Sequence, residues 1–378
     1  MRLKGWALGF WSVVLAAAVH VHAQDAVHPP LSSTVPLAMW QSAIPDGDPM
    51  SPERVRLGRD LFFDKALSVD NTVSCASCHD PRHAFTDPGP VSHGVGGKTG
   101  ARRAPTVLNA MFNVQQFWDG RADSLEAQAK GPLTNPLEMA MPSDDAVVAK
   151  VAGDARYHGR FEAAFGRPVC LDDIAEAISC FERMQVSCDA PFDRFMAGDK
   201  TALSLAARRG YALFNGKADC NSCHTMTRTS PFFTDYSFHN TGVGALSCKK
   251  FESMAADMMG READGKLNRK AVDELALMPK SSELGRFLIS MKTKHLGSFK
   301  TPSLRDVAVR GPYMHDGSIK TLRGVLEYYN RGCQPNCNLD AKLHPLKLSK
   351  QEIDDLLAFL DSLTGDRTRR LMAGTEKP

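Results

Sequence analysis

The chain has 378 residues, the length of one large or two ordinary domains. Its 46 Lys and Arg nearly balance 43 Asp and Glu, for a formal charge of +3 that falls to +1 once Arg2 and Lys4 of an apolar leader are set aside. That balance excludes the basic stripe of a nucleic-acid binder and the cationic face of a membrane-surface protein.

The chain opens MRLKGWALGFWSVVLAAAVHVHAQDAV. Two basic residues, an apolar run from Trp6 to Val19 and the ending Val21-His22-Ala23 read as a secretory signal peptide over 1–23. The run is short for a membrane span, and no later stretch is long enough for one. The expectation is a periplasmic protein with no membrane insertion after cleavage. An N-terminal arm over 24–50 follows. Ser51 and Pro52 then supply an N-cap and a first helical residue, and the helix they start ends in GRDLF at 58–62.

Beyond it stands CASCH, with Cys75, Cys78 and His79. The stretch DCNSCHTM at 219–226 repeats the pattern with Cys220, Cys223 and His224, again behind a helix ending in Gly-x-x-Leu-Phe, GYALF at 210–214. Cys-x-x-Cys-His is the attachment pattern of c-type haem. Two thiols add across the porphyrin vinyl groups, and the following imidazole is held beneath the iron. A zinc cluster or a thiol redox pair is the competing reading of one such motif. Two copies, with no βαβ pattern around either, point to two covalently bound haem c groups. Six further cysteines remain: Cys170, Cys180, Cys188, Cys248, Cys333 and Cys337. An even remainder in an oxidising compartment predicts disulfides, with Cys333 and Cys337 the most local pair.

Helical periodicity dominates elsewhere. LDDIAEAISCFERM (171–184) sets Ile174, Ile178 and Phe181 on one face. A seam is expected near 190–205, and the polar, Met-rich segment 248–292 reads as a surface excursion. SKQEIDDLLAFLDSLTG (349–365) has the capping box Ser349/Glu352, an apolar face of Ile353, Leu356, Leu357, Leu360 and Leu363, and Gly365 as its stop. Period-2 strands are scarce. The fold class is all-α, with long loops filled by haem.

Between the haem motifs runs RRAPTVLNAMFNVQQFWDGRADSLEAQAKGPLTNPLEMAMP (102–142). After the second come FTDYSFHNTGVG (233–244) and GSFKTPSLRDVAVRGPYMHDGSIKTLRGVLEYYNRG (297–332). With both CxxCH motifs, these stretches resemble the bacterial di-haem cytochrome c peroxidase/MauG superfamily, over roughly 51–365. The resemblance implies two cytochrome c-like domains, 51–198 and 199–366, a tail at 367–378, and haems facing a shared interface. It implies that the N-terminal haem reacts with hydrogen peroxide and that the C-terminal haem is six-coordinate. The second ligand of the C-terminal iron is Met in the peroxidase branch and Tyr in the MauG branch. Here that position is Tyr329, with Tyr328 the adjacent alternative, about 100° round a helix. A thioether favours ferrous iron, whereas a phenolate stabilises ferric and higher states, so Tyr329 points to the MauG-like branch.

The same resemblance gives Glu138 of NPLEM the acid–base role at peroxide, with Gln128 and Pro132 lining the pocket and Trp118 of FWDGR between the haems. Some peroxidase-branch members carry a removable loop histidine on the distal side. Val95 aligns with it, and His93, two positions away, reads as a surface residue, as His83 reads as packed or solvated. The family's calcium is held between the domains by an Asn side chain and the carbonyls of a Thr-Gly-Pro run. Those positions are Arg103 and Arg310-Gly311-Pro312 here; a guanidinium cannot ligate a cation, which puts calcium in doubt. His315 and Arg305 are candidate partners of haem propionates. The implied function is peroxide-driven oxidation of a protein substrate. One rival is a cytochrome c peroxidase fed by a small cytochrome or cupredoxin. Another is a non-catalytic di-haem carrier with both irons saturated.

Overall fold

The computed structural model describes residues 27–47 and 49–378, so the predicted signal peptide lies outside the described residues. In the N-terminal arm, α1 (Leu37–Ser42) sets Trp40 among Val35, Cys188 and Phe232. Its indole N–H donates to the Arg183 carbonyl at 2.9 Å. α2 (Pro52–Phe63) begins as predicted, with the Ser51 side chain accepting the Arg54 N–H. Next come α3 (Cys75–Cys78), which carries the first thiol pair, α4 (Leu125–Thr134), α5 (Asp144–Ala152), α6 (Arg160–Phe165) and α7 (Leu171–Arg183). Ile174, Ile178 and Phe181 of α7 join Leu57, Leu61, Phe62 and Phe85 in a first core.

A second core gathers Phe192 of α8 (Pro191–Met196), Phe214 of α9 (Leu205–Asn215) and Phe233. The chain then forms α10 (Cys248–Ala263), α11 (Arg269–Leu277) and α12 (Phe287–Ser290). α13 (Leu322–Asn330) contributes Leu326 to the second core, and α14 (Lys350–Asp361) contributes Leu356, Phe359 and Leu360. α15 (Asp366–Met372) ends the helical order. The only strands among the described residues are β1 (Phe238–His239) and β2 (Phe299–Lys300), an antiparallel pair two residues long. All-α is therefore the observed class.

The two Gly-x-x-Leu-Phe helices are glycine-bearing for one reason. A Cβ on Gly58 would collide with the Ala177 carbonyl of α7, and a Cβ on Gly210 with the Asp355 carbonyl of α14. Each glycine marks the point where one long helix crosses another at backbone contact. Gly210→Ala should therefore destabilise the protein by about 1–3 kcal/mol through overpacking. Gly260→Ala, mid-helix in α10 with nothing near its Cβ position, should be neutral or stabilise by roughly 0.5–1 kcal/mol. Denaturant unfolding of the two variants checks the contrast.

Three expectations need correction. α14 does not run to Gly365; it stops at Asp361, and Leu363 follows it in the second core. Gly365 lacks a Cβ because Ser187 and Asp189 approach it, while its N–H donates to Asp306 at 2.9 Å. Beyond it, Leu371 of α15 in the tail is buried in the first core, although it lies at the far end of the sequence. Finally, the segment 248–292 is more than a surface excursion. Phe251, Ala255, Met258, Leu284, Phe287 and Leu288 give it a core of its own, and Leu277 packs on Gly100 of the first half. The expected local pairing also differs. Cys333 and Cys337 are not joined; Cys333 has a positive φ of 65° and turns in beside Tyr329, while the exposed Cys337 meets Cys248.

Candidate active site: two cavities and a shared tryptophan

Each half encloses a cavity next to its Cys-x-x-Cys-His motif. The first, of about 110 Å³, is lined by Cys78, His79, Gln128, Pro132, Leu137 and Glu138. The second, of about 310 Å³, is lined by Cys220, Cys223, His224, Tyr329 and the apolar residues Leu326, Leu356 and Leu360. Trp118 borders both.

The histidines are oriented alike. His79 Nδ1 lies 3.2 Å from the Phe85 carbonyl, and His224 Nδ1 lies 2.9 Å from the Phe233 carbonyl. A carbonyl at Nδ1 fixes the proton there and leaves the Nε2 lone pair as the metal-facing donor. With two thiols on the preceding turn, this donor set fits a covalently held haem in each half. Cys75, Cys78 and His79 would hold one, and Cys220, Cys223 and His224 the other. Cys223, Asp235 and His239 are the one group among the described residues converging closely enough for a separate metal ion. Both His239 nitrogens are already committed, to Asp235 at 2.9 Å and Asp340 at 2.6 Å. Asp235 above all, with Cys223 and Asp340, pushes that imidazole up to about 10.

Beyond the histidines the halves share a longer repeat than the sequence suggested. Pro105 and Pro302, Asn109 and Asp306, Gly120 and Gly317, and Ser124 and Thr321 are all separated by the same number of residues. Asn109 and Asp306 both adopt left-handed backbone, with φ of 60° and 59°. The Asp-Gly turns are closed by equivalent bridges, Gln116 to Ala122 and Tyr313 to Ile319. Ser124 caps α4 through the Ala127 N–H and Thr321 caps α13 through the Gly324 N–H, both at 3.1 Å. In this register Trp118 corresponds to His315, and Pro132 corresponds to Tyr329. Proline carries no donor atom at the point where the second half presents a phenol. The linings of the two cavities thus differ by one substitution at one place in a repeated scaffold.

The adjacent tyrosines differ in their surroundings. Tyr328 donates its hydroxyl to the Thr241 carbonyl at 2.9 Å and accepts from the Gln334 N–H at 3.1 Å. Tyr329 is the one lining the second cavity, where burial raises its hydroxyl above the ordinary phenol value. In the first cavity, Gln128 and Pro132 lie one turn apart on α4 and so share a face. Burial pushes the Glu138 carboxyl up to about 7, offset by Arg121 and reinforced by Asp273. Arg121 in turn bonds Asp273 of α11 at 2.7 Å, so the 248–292 segment reaches the surroundings of Glu138.

Trp118 is fixed from both sides. Its indole N–H donates to the Arg103 carbonyl at 2.9 Å, and its own carbonyl accepts the Lys300 N–H at 2.7 Å. Asp119, next to it, is fully buried, yet Arg121 and Arg102 outweigh that burial and hold it down to about 2. Three groups escaped the sequence reading: Asp273, the buried Lys300, whose ammonium donates to the Gln115 carbonyl at 2.8 Å, and Glu182, which lines the first cavity. Burial pushes Lys300 down to about 8 and Glu182 up to about 8. The residues outside the cavities are as informative. His93 is exposed, His83 lies 3.3 Å from Asp80 on the surface side, and Arg305 is a core residue paired with Asp193 at 2.6 Å. His315 does line the second cavity, stacked on Phe299 and bonded to Glu283 at 3.0 Å.

Residues 52–201 match the family model described as "Di-haem cytochrome c peroxidase". The methylamine utilization protein MauG of Methylorubrum extorquens is 39% identical over 324 residues, 85% of this chain and 81% of that protein. The chain belongs to the di-haem cytochrome c peroxidase/MauG family. Among other members, the cytochrome-c peroxidase IdrP1 of a Pseudomonas species is 33% identical over 356 residues, 93% of this chain and 90% of its own. A crystal structure of a MauG-like protein associated with microbial copper homeostasis superposes with a TM-score of 0.70 at 30% identity, covering 94% of this chain and 97% of the other. This di-haem peroxidase is an oxidoreductase, and no helix among its described residues is long and apolar enough to cross a membrane. A haemochrome assay should give two c-type haems per chain. Low-temperature EPR of the ferric protein should give one high-spin and one low-spin signal if Tyr329 ligates the second iron and Pro132 leaves the first without a second ligand.

Proposed function

We propose that the protein is a periplasmic enzyme of the MauG-like branch, oxidising a protein substrate at the expense of hydrogen peroxide. Two covalent haems, when bound, supply the peroxide-reactive and electron-storing chemistry. The observation that carries the reading is the pairing of Pro132 with Tyr329 in the repeat, a donorless residue in one half and a hard oxygen donor in the other.

The chain's own residues divide the remaining tasks. Glu138 accepts the proton leaving one peroxide oxygen and returns it to the other, the transfer that O–O cleavage requires. Its raised affinity for a proton suits a group that must both take and give near neutral pH. Gln128 orients the oxidant through its amide, and Pro132 keeps side-chain donors off the same face. Trp118, bordering both cavities and held by backbone bonds at each end, relays oxidising equivalents between the halves, so a protein substrate is oxidised by electron transfer across the surface.

The deciding experiment adds stoichiometric peroxide to the fully ferric protein without prior reduction. The expected result is a slow-decaying change in the spectra of both haems. A protein inert until one haem is reduced, and then fast with a reduced small cytochrome, would instead be a cytochrome c peroxidase with an unusual ligand.

A further inference from the structure

Arg103 is buried on the seam between the halves. Its Nη2 donates to the carbonyls of Asp87 at 2.6 Å, Arg310 at 3.1 Å and Gly311 at 3.1 Å, and its Nη1 to the carbonyl of Gly89. All four acceptors are backbone oxygens, two from each half. The Asp87 carboxylate is occupied elsewhere, accepting the Gly89 N–H at 2.6 Å. Carbonyl oxygens converging from separate loops are the donor set of a hard cation. Here the cation is part of the chain.

The main chain of the same residue reaches further. Arg103 N–H donates to the His315 carbonyl at 2.8 Å, and its carbonyl accepts the Trp118 indole. One residue therefore ties together the carbonyl cluster, the tryptophan bordering both cavities, and His315, the counterpart of that tryptophan in the second half. A calcium ion wants six to eight oxygen ligands at about 2.3–2.6 Å. The guanidinium takes up the carbonyls and adds a like charge at that point, so the family's calcium does not fit this chain.

We propose that Arg103 is the resident cation of the seam and a positioning residue for Trp118, and that the protein holds its two-haem arrangement without calcium. The inference stands whichever substrate or electron donor the enzyme uses. To test it, the holoprotein is assayed for metal content and examined by ferric EPR before and after EDTA, and again with added calcium chloride. Wild type should contain substoichiometric calcium, and its low-spin line positions should not move under either treatment. Arg103→Asn should shift those lines, bind one calcium per chain, and regain the wild-type lines when calcium is supplied. Arg103→Lys, which keeps a cation, should retain them with no calcium present. Stoichiometric calcium in wild type whose removal shifts the EPR would overturn the proposal. So would an Arg103→Asn protein with unmoved lines and no calcium uptake. Should Arg103→Asn fail to fold, the wild-type metal content and the lines of Arg103→Lys decide alone.

Discussion

Tyr329→Met should convert a protein that reacts with peroxide in the ferric state into one that must first be reduced. The phenol lines the second cavity while Tyr328 is bonded to Thr241 and Gln334, so the replacement acts at one side chain. A thioether favours ferrous iron, and axial ligands move haem potentials over a range of roughly 0.8 V. A rise on the order of 0.1 V or more in the second haem's midpoint is expected. Cys220 and Cys223 would keep the haem attached, and His224 is still oriented at Nδ1 by the Phe233 carbonyl. Redox titration followed by peroxide addition checks both halves of the claim. A variant with unchanged midpoint and unchanged ferric reactivity would remove Tyr329 from the ligand role and, with it, the MauG-like reading.

The second large effect belongs to Glu138. Replacing it with Gln keeps the shape of the pocket and removes the proton acceptor, and general acid–base contributions are typically 10²- to 10⁴-fold. Stopped-flow spectra should show the peroxide reaction slowed by about that factor while the resting spectra of both haems stay intact. The pH dependence adds a second test. With its carboxyl raised by burial to about 7, Glu138 is a competent acceptor only above that value, so the wild-type rate should fall as pH drops through 7. The Gln variant should lose that limb. Stability responds to pH in the opposite sense. A carboxyl whose folded value is raised costs stability as pH climbs above its unfolded value, near 4.5. Glu138→Gln should therefore melt no lower than wild type at pH 8. A slow and unstable variant would point to structural damage rather than lost proton transfer.

Much of this site was legible because covalent chemistry demands fixed spacing. Cys75, Cys78, His79 and their second copy need contiguous residues, and the caps at Ser51 and Ser349 act within one helical turn. The repeat that pairs Pro132 with Tyr329 was harder to read, because it preserves backbone shape with few shared letters. Asn109 and Asp306 serve the same left-handed turn with different side chains. The recurring Pro in APT and TPS and the Asp-Gly in WDG and HDG, at constant spacing, were the available signal. Asp273 could not be found this way. It belongs to a polar helix far along the chain, and only tertiary folding brings it to Arg121. The pairing of Cys333 with Cys337 failed for a related reason: closeness in sequence says nothing about which way a residue at φ 65° faces.

The return of α15 to the first core has a consequence for biogenesis. Leu371 packs among residues drawn from 57–181, so the N-terminal half cannot finish its interior until α15 has joined it. Order along the chain and membership of the cores therefore part at this point: a helix that follows the second half completes the first. Residues 51–198 expressed alone would lack that plug, and a fragment stopping at 365 would leave the same gap. The two halves look separable on paper, but the chain is threaded so that the first core is completed from beyond the second.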